Sequence, residues 1–575
     1  MKNFLSPFFF AACCAFTAST TTAFAPPMRY YAPPMAYPIS LSANFGELRP
    51  AHLHSGVDLR TGGVEGEPVF AVADGYIARI GIRSLGYGNA LYLAHSNGTT
   101  SVYAHLKSFT RPVAKHLRKA QYARQSFVID VELDSTVFPL KQGDLIGFSG
   151  NSGNSFGPHL HFEIRDREQR PFNVMLHGFY QTLLPDTTPP QASVLMAYRL
   201  DTVQGVAVPV RSGAYDIATQ GHKLSLLDGD TIEVDGATFF GLDLLDRMSG
   251  NTENTYGVSH VELRVDDSIT LAYAMQIFGF DETRYCNAML DFDERQRSGR
   301  TVVKLYVAPN NRLSIYDPRY RQGLLTLPDS GLAKVSIVLD DDAGNRSTLQ
   351  FWAHAKAKPT PASLAATGEQ AVLSWDMGGR FTAEGFSVDI PAGVMYDHSR
   401  WELQVLPAAH GSASPIYAVM QPTTPPHRAV SVRIAADIAP RLQAHAVVVC
   451  MDGKGRKSVL ATTCTASGYT ADSRSWGSFF VLVDTVAPSI KPLNFAAGKK
   501  LTQPTISLRV KDNLSELKRY AGYVDGRWAL FEYDEKNNLF HHTLDAPRAN
   551  RRHTISFTAT DVAGNEGRGE WVVKY

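Results

Sequence analysis

The stretch Gly157-Pro-His-Leu-His-Phe-Glu163 constrains this chain more than any other. His159, His161 and Glu163 alternate with Leu160, Phe162 and Ile164, the period-two pattern of a half-buried strand. Residues two apart on a strand project to the same face. The pattern therefore predicts two imidazoles side by side in one cleft, with Leu160 and Phe162 anchoring the strand in a core. Such a pair can hold a metal, or divide into one metal ligand and one proton carrier. It can also be two surface histidines on an edge strand. On its own the stretch leaves all three readings open.

Its surroundings read as β-structure. Between residues 41 and 173, apolar runs such as Pro68-Val-Phe-Ala-Val72 and Ala90-Leu-Tyr-Leu-Ala94 are punctuated by Gly75, Gly81, Gly86, Gly88 and Gly98. That is the grammar of short strands joined by tight turns. The exception is 111–124, where every charge is basic (Arg111, Lys115, Arg118, Lys119, Arg124) and Val113, Leu117, Ala120 and Tyr122 form a rough helical face. This helix is either an ordinary solvated one or a cationic wall beside a cleft that accepts an acidic polymer.

Three further groups carry chemistry. His52-Leu-His-Ser-Gly-Val-Asp58 sets His54 and Asp58 four apart, with Gly56 arguing for a turn that enters a strand. Tyr103-Ala-His105 ends another apolar run. Two imidazoles and a carboxylate are a zinc ligand set that leaves one position open for water. His54, Asp58 and one histidine of the 159/161 pair can supply it, leaving two imidazoles for proton transfer. There is no His-Glu-x-x-His helix, so a glutamate base of that type is not expected.

Taken in order, these motifs resemble the LytM/lysostaphin-type zinc metallopeptidases, which cut peptide cross-links of bacterial peptidoglycan. The matching segments are Phe45-Gly-Glu-Leu-Arg49, His54-Ser-Gly-Val-Asp58, 66–75, Gly86-Tyr-Gly-Asn89, Tyr103-Ala-His-Leu106, Gly143-Asp-Leu-Ile-Gly147 and 150–163. The resemblance covers 45–171 and implies a small β-sheet domain with an open groove across the metal. Carried over residue by residue, it implies that His54, Asp58 and His161 bind one Zn2+. His105 and His159 are then the catalytic non-ligand imidazoles that orient or deprotonate water and stabilise the oxyanion. His52 becomes a rim residue, since only His54 has Asp58 at the family spacing. The segment between His105 and Gly143 is long for the simplest members and reads as an insertion building one wall of the groove.

The implied function is an exported zinc endopeptidase acting on cross-links or stem peptides of peptidoglycan. The alternative is a non-catalytic activator or regulator of another wall hydrolase. Degenerate relatives of that kind have usually lost metal ligands, whereas here all five positions stand. A third reading makes the chain an exported adhesin or scaffold.

Composition supports export and argues against nucleic acid. A net charge of +1 over 575 residues gives no bulk attraction to a polyanion. Residues 1–25 read as a signal peptide: Lys2, an apolar run to Phe16, then Ala23-Phe-Ala25. The run is too short for a stable transmembrane span, and no later segment looks transmembrane. Phe10-Ala-Ala-Cys13 is a rival lipoprotein pattern that would anchor the chain through Cys13. Either way the expected location is the periplasm or cell envelope. Of the five cysteines, Cys13 and Cys14 fall in this leader. Cys450 and Cys464 either form a disulfide or, like Cys286, remain free.

The mainly β character continues to the end of the chain. After a peptidase domain at 26–185, an internal repeat appears. Asp-Thr-x-x-Pro occurs at Asp186 and Asp484, Asp-x-x-Ser at Asp246 and Asp512, and Asp-x-Ala-Gly-Asn at Asp341 and Asp561. It predicts two Ig-like β-sandwich modules, 186–358 with insertions inside 266–328, and 486–575. A β-rich module at 359–485 lies between them. The repeated Asp positions suit either turns or calcium. The modules read as spacers, as covers for the groove, or as a docking surface for a cell-envelope protein partner.

Overall fold

The computed structural model describes residues 30–36, 38–176, 183–249, 251–356, 371–544 and 551–574. The expected signal segment and Cys13 lie outside these residues. Strands dominate, and among the described residues no helix is long and apolar enough to cross a membrane.

The N-terminal domain is built on one antiparallel sheet. Its strands are β1 (Leu41–Ala43), β2 (Val57–Arg60), β3 (Gly75–Ile82), β4 (Asn89–His95), β5 (Thr100–Ala104), β6 (Ile129–Glu132) and β7 (His159–Arg165). The spatial order is β1-β2-β7-β5-β4-β3-β6, so β7 lies between β2 and β5. This central place explains the alternation first seen in the sequence. Leu160, Phe162 and Ile164 are all buried and pack with Val57, Leu59 and Tyr103 in one core cluster, while the polar residues of β7 emerge on the other face. Helix α1 (Arg111–Arg124) buries Val113, Leu117 and Gln121. Gln121 takes the inward place expected of Tyr122, because its Nε2 donates to the Phe127 carbonyl (2.8 Å) and so satisfies a buried polar group. Tyr122 instead meets Trp528 of the last module edge to face.

Downstream come β-sandwich modules. The last packs the sheet of Ser489–Pro492, Thr505–Lys511, Leu539–Thr543 and Glu532–Asp534 against that of Arg527–Trp528, Leu517–Val524, Arg552–Asp561 and Glu566–Lys574. Ile506, Leu508, Phe531, Phe540 and Phe557 fill the space between. The first repeat is larger because 283–298 adds short helices, and Val302–Lys304 and Tyr316–Arg321 add strands. Cys286, Cys450 and Cys464 are free thiols. Cys450 is buried in one sheet and Cys464 exposed in another, so of the two readings open in the sequence the free thiols hold.

The modules grip one another through side chains. Phe45 of the N-terminal domain stacks on Phe278 of the first sandwich at 4.8 Å. Asn173 donates to the Met275 carbonyl (3.1 Å), and the Tyr256 hydroxyl to that of Leu41 (2.9 Å). Tyr285 of the first sandwich stacks on His427 of the central module at 4.1 Å.

Candidate metal centre

Register brings the polar residues together. Across the antiparallel pair, His161 on β7 stands directly opposite Asp58 on β2, and on its other side opposite Ala104, the last residue of β5. Directly opposed residues share a face. His54 reaches the same point from the turn before β2. One oxygen then collects two imidazoles: Asp58 Oδ1 lies 3.1 Å from His54 Nε2 and 2.9 Å from His161 Nδ1. The two nitrogens are 3.0 Å apart, and all three residues are buried.

The other ring nitrogens show which atoms carry lone pairs. His54 Nδ1 faces the Asn44 carbonyl oxygen at 2.7 Å and must be the donor there, because a carbonyl only accepts. Nε2 is therefore left with a lone pair aimed at the centre. His161 Nε2 donates to Glu163 Oε1 (2.8 Å), directing Nδ1 inward. Two inward lone pairs at 3.0 Å repel unless a cation separates them. This donor set, two imidazole nitrogens and a carboxylate oxygen, fits a borderline-soft dication such as zinc. Without a metal the position attracts a proton. Burial would lower His161, but Asp58 and Glu163 outweigh it and lift the ring to about 9. Burial would likewise raise Asp58, yet His54 and His161 hold it well below the usual carboxylate range.

Glu163, to which the sequence alone assigns no role, supports His161. It is wholly buried, and burial would raise its carboxyl, but the Arg165 guanidinium and His161 hold it at about 2. Arg165 Nε donates to Oε2 (2.6 Å), while Ser55 Oγ (2.6 Å) and the Tyr87 hydroxyl donate to Oε1. Arg165 is itself covered by the Phe280 ring of the first sandwich at 4.5 Å. The alternation carried the signal: residues 159, 161, 163 and 165 share one strand face.

His105 and His159 stand beside this cluster, with ring centres 4.8 Å apart. His105 follows β5 with a left-handed φ of 57°. Its Nδ1 donates to the Ser152 carbonyl (2.8 Å), and His159 Nδ1 donates to that of Gly157 (2.8 Å). Both Nε2 atoms therefore carry the ring's lone pair, and that of His159 lies 3.6 Å from Asp58 Oδ1. Burial, with His161 and His159 adding to it, pushes His105 down to about 3. Burial lowers His159 as well, against the opposing pull of Asp58. The segment carrying these carbonyls passes so close to the 86–88 turn that a Cβ on Gly153 would meet Gly88 N at 2.3 Å, and Gly153 adopts φ 69°. His52 is exposed and turned toward the Pro50 carbonyl. Arg49, which the sequence reading did not single out, reaches Asp58 Oδ2 at 3.4 Å.

Known proteins share parts of this chain. Residues 52–122 match the family model for Peptidase family M23, and residues 370–484 that for a Zu5-like domain. The DD-carboxypeptidase/endopeptidase Mpg of Neisseria meningitidis is 36% identical over 126 residues, which are 22% of this chain and 23% of that protein. An uncharacterized metalloprotease of Haemophilus influenzae is 34% identical over 135 residues, 23% of this chain and 22% of its own. The chain thus spans less than a quarter of the length of these relatives. The catalytic domain of lysostaphin from Staphylococcus simulans is 25% identical, with 23% of this chain and 86% of that one aligned at a TM-score of 0.17. Residues 52–122, within the N-terminal domain, are thus a sequence match to peptidase family M23.

Proposed function

We propose that this protein is an exported zinc endopeptidase that hydrolyses peptide cross-links or stem peptides of bacterial peptidoglycan, in the periplasm or cell envelope. The observation that carries the reading is the convergence of His54 Nε2, His161 Nδ1 and Asp58 Oδ1 with the His105 and His159 imidazoles beside them. A zinc ion held by these three residues would supply a Lewis acid and an activated water.

The chain's own groups do the rest. Glu163 and the Asn44 carbonyl fix the His161 and His54 tautomers. His159 has the lone pair on Nε2 and Asp58 nearby to favour its charged form, so it is the better placed to take a proton from water and return it to the leaving amine. His105, kept neutral by burial, orients water and substrate through Nε2. All five positions are present, which weighs against the regulator reading.

The test is to incubate the zinc-loaded full chain with purified peptidoglycan and count new amino groups. Release that stops with a chelator and returns with zinc supports the proposal. Folded, zinc-loaded protein that releases none would overturn it in favour of an activator.

A further inference from the structure

The repeat read from the sequence becomes, in three dimensions, two matching carboxylate clusters. In each of the triads Asp186/Asp246/Asp341 and Asp484/Asp512/Asp561, one oxygen per residue lies within 4.8 Å of those of the other two. The bonding repeats as well. Asn345 Nδ2 bridges Asp341 Oδ2 (2.8 Å) and the Asp186 carbonyl (3.2 Å), and Asn565 Nδ2 bridges Asp561 Oδ2 (2.9 Å) and the Asp484 carbonyl (2.9 Å). Those contacts account for the turn geometry, since Asn345 N and Asn565 N each donate to the Oδ1 of their aspartate at 2.8 Å.

Other oxygens in the clusters are left over. Asp246 is 4% exposed and its Oδ1 has no hydrogen-bond partner; Asp484 is 2% exposed and its Oδ2 has none, nor has the Oδ2 of Asp512. A buried carboxylate oxygen without a partner is costly, and a turn does not require one. Asp186, Asp246 and the neighbouring Asp342 also line a cavity of roughly 330 Å3. We propose that each repeat module holds one calcium ion, bound by Asp186, Asp246 and Asp341 in the first and by Asp484, Asp512 and Asp561 in the second. The all-oxygen donor set is that of a hard cation and is distinct from the imidazole-rich centre of the N-terminal domain.

The test is calcium retained by the zinc-loaded full chain after dialysis against about 2 mM calcium, above the 10⁻⁴–10⁻³ M dissociation constants usual for extracellular modules. Metal analysis is compared for wild type, Asp246→Asn, Asp512→Asn and the double variant. The expected result is two equivalents in wild type, one in each single variant and none in the double, with a calcium-dependent rise in Tm that shrinks in the same order. Asparagine reproduces the shape of a protonated carboxyl, so the variants should match wild-type Tm in chelator. If Asp246→Asn falls short of that, the less buried Asp512→Asn carries the test. No retained calcium, a single equivalent in wild type, or a stoichiometry untouched by the substitutions would overturn the proposal.

Discussion

Asn44 Nδ2 donates to Asp342 Oδ2 over 3.1 Å. Through its carbonyl the same residue accepts the Nδ1–H of His54, so one side chain of the first sandwich and one imidazole of the His54/Asp58/His161 cluster share a single neighbour. Asp342 also accepts from Asn173 Nδ2 at 2.8 Å. The junction between the two domains is therefore part of what orients the centre. Asn44→Ala is expected to weaken zinc retention while the sheet stays folded. Competition against a chromogenic chelator, with circular dichroism as control, measures this, and unchanged retention would refute it.

The two kinds of histidine should separate by substitution. His161→Ala removes a converging nitrogen and is expected to abolish zinc retention. His105→Ala leaves the three converging atoms in place, so zinc should remain while turnover falls by ~10²–10⁴-fold, the usual worth of a positioned acid-base group. Full zinc content in the His161 variant would refute the ligand assignment.

Glu163→Gln tests the support behind His161. The amide keeps the shape but loses the charge that Arg165 faces, and outer partners of metal-bound histidines are worth about 10–100-fold in affinity. A loss of that size is expected by chelator competition, together with a lower Tm because Arg165 is left buried without its counter-ion. Wild-type affinity would show that the His161 tautomer is fixed some other way.

Phe278 is buried and stacked on Phe45 where the first sandwich meets the N-terminal domain. Phe278→Ala should cost about 3–5 kcal/mol, the range for emptying a buried aromatic site. Denaturant unfolding measures it, and a cost under about 1 kcal/mol would mean that the junction can repack.

At the second junction His427 lies between the Tyr285 and Tyr396 rings. Burial, then the charges of Arg284, Arg428, Arg312 and Arg474, push it down to about 4. A depressed imidazole means that the unfolded chain binds the extra proton, so stability rises with pH between about 4 and about 6.5 and is lost as pH falls through that window. Melting at about pH 7 and about pH 5 should show a drop that His427→Gln reduces. Equal drops in the two proteins would remove His427 as the cause.

Much of this architecture was legible in the chain because it is periodic. The alternation over 159–165 gave a strand, a buried face and a polar face, and the Asp repeats marked two related modules. The helix at 111–124 was readable for the same reason, apart from Gln121, whose burial depends on a carbonyl six residues on. What periodicity could not supply was partnership across long separations. Asp58 and His161 meet only through strand register, and the Asn44–Asp342 bond joins residues 298 positions apart. Glu163 and Arg165 were within reach, since the same alternation places them beside His161, but their roles depend on what Tyr87, Ser55 and Phe280 do around them.

Lys536, in the last sandwich, donates to the carbonyls of Asn151 and Ser155, the latter at 2.9 Å and 381 residues upstream. That segment also carries the Ser152 carbonyl that orients His105, and the Ser155 hydroxyl 3.2 Å from His159 Nδ1. The C-terminal module is thus a clamp on the segment that holds the His105 and His159 rings. A chain cut before that module would keep His54, Asp58 and His161 yet lose the outer brace of the segment on which His105 and His159 rest.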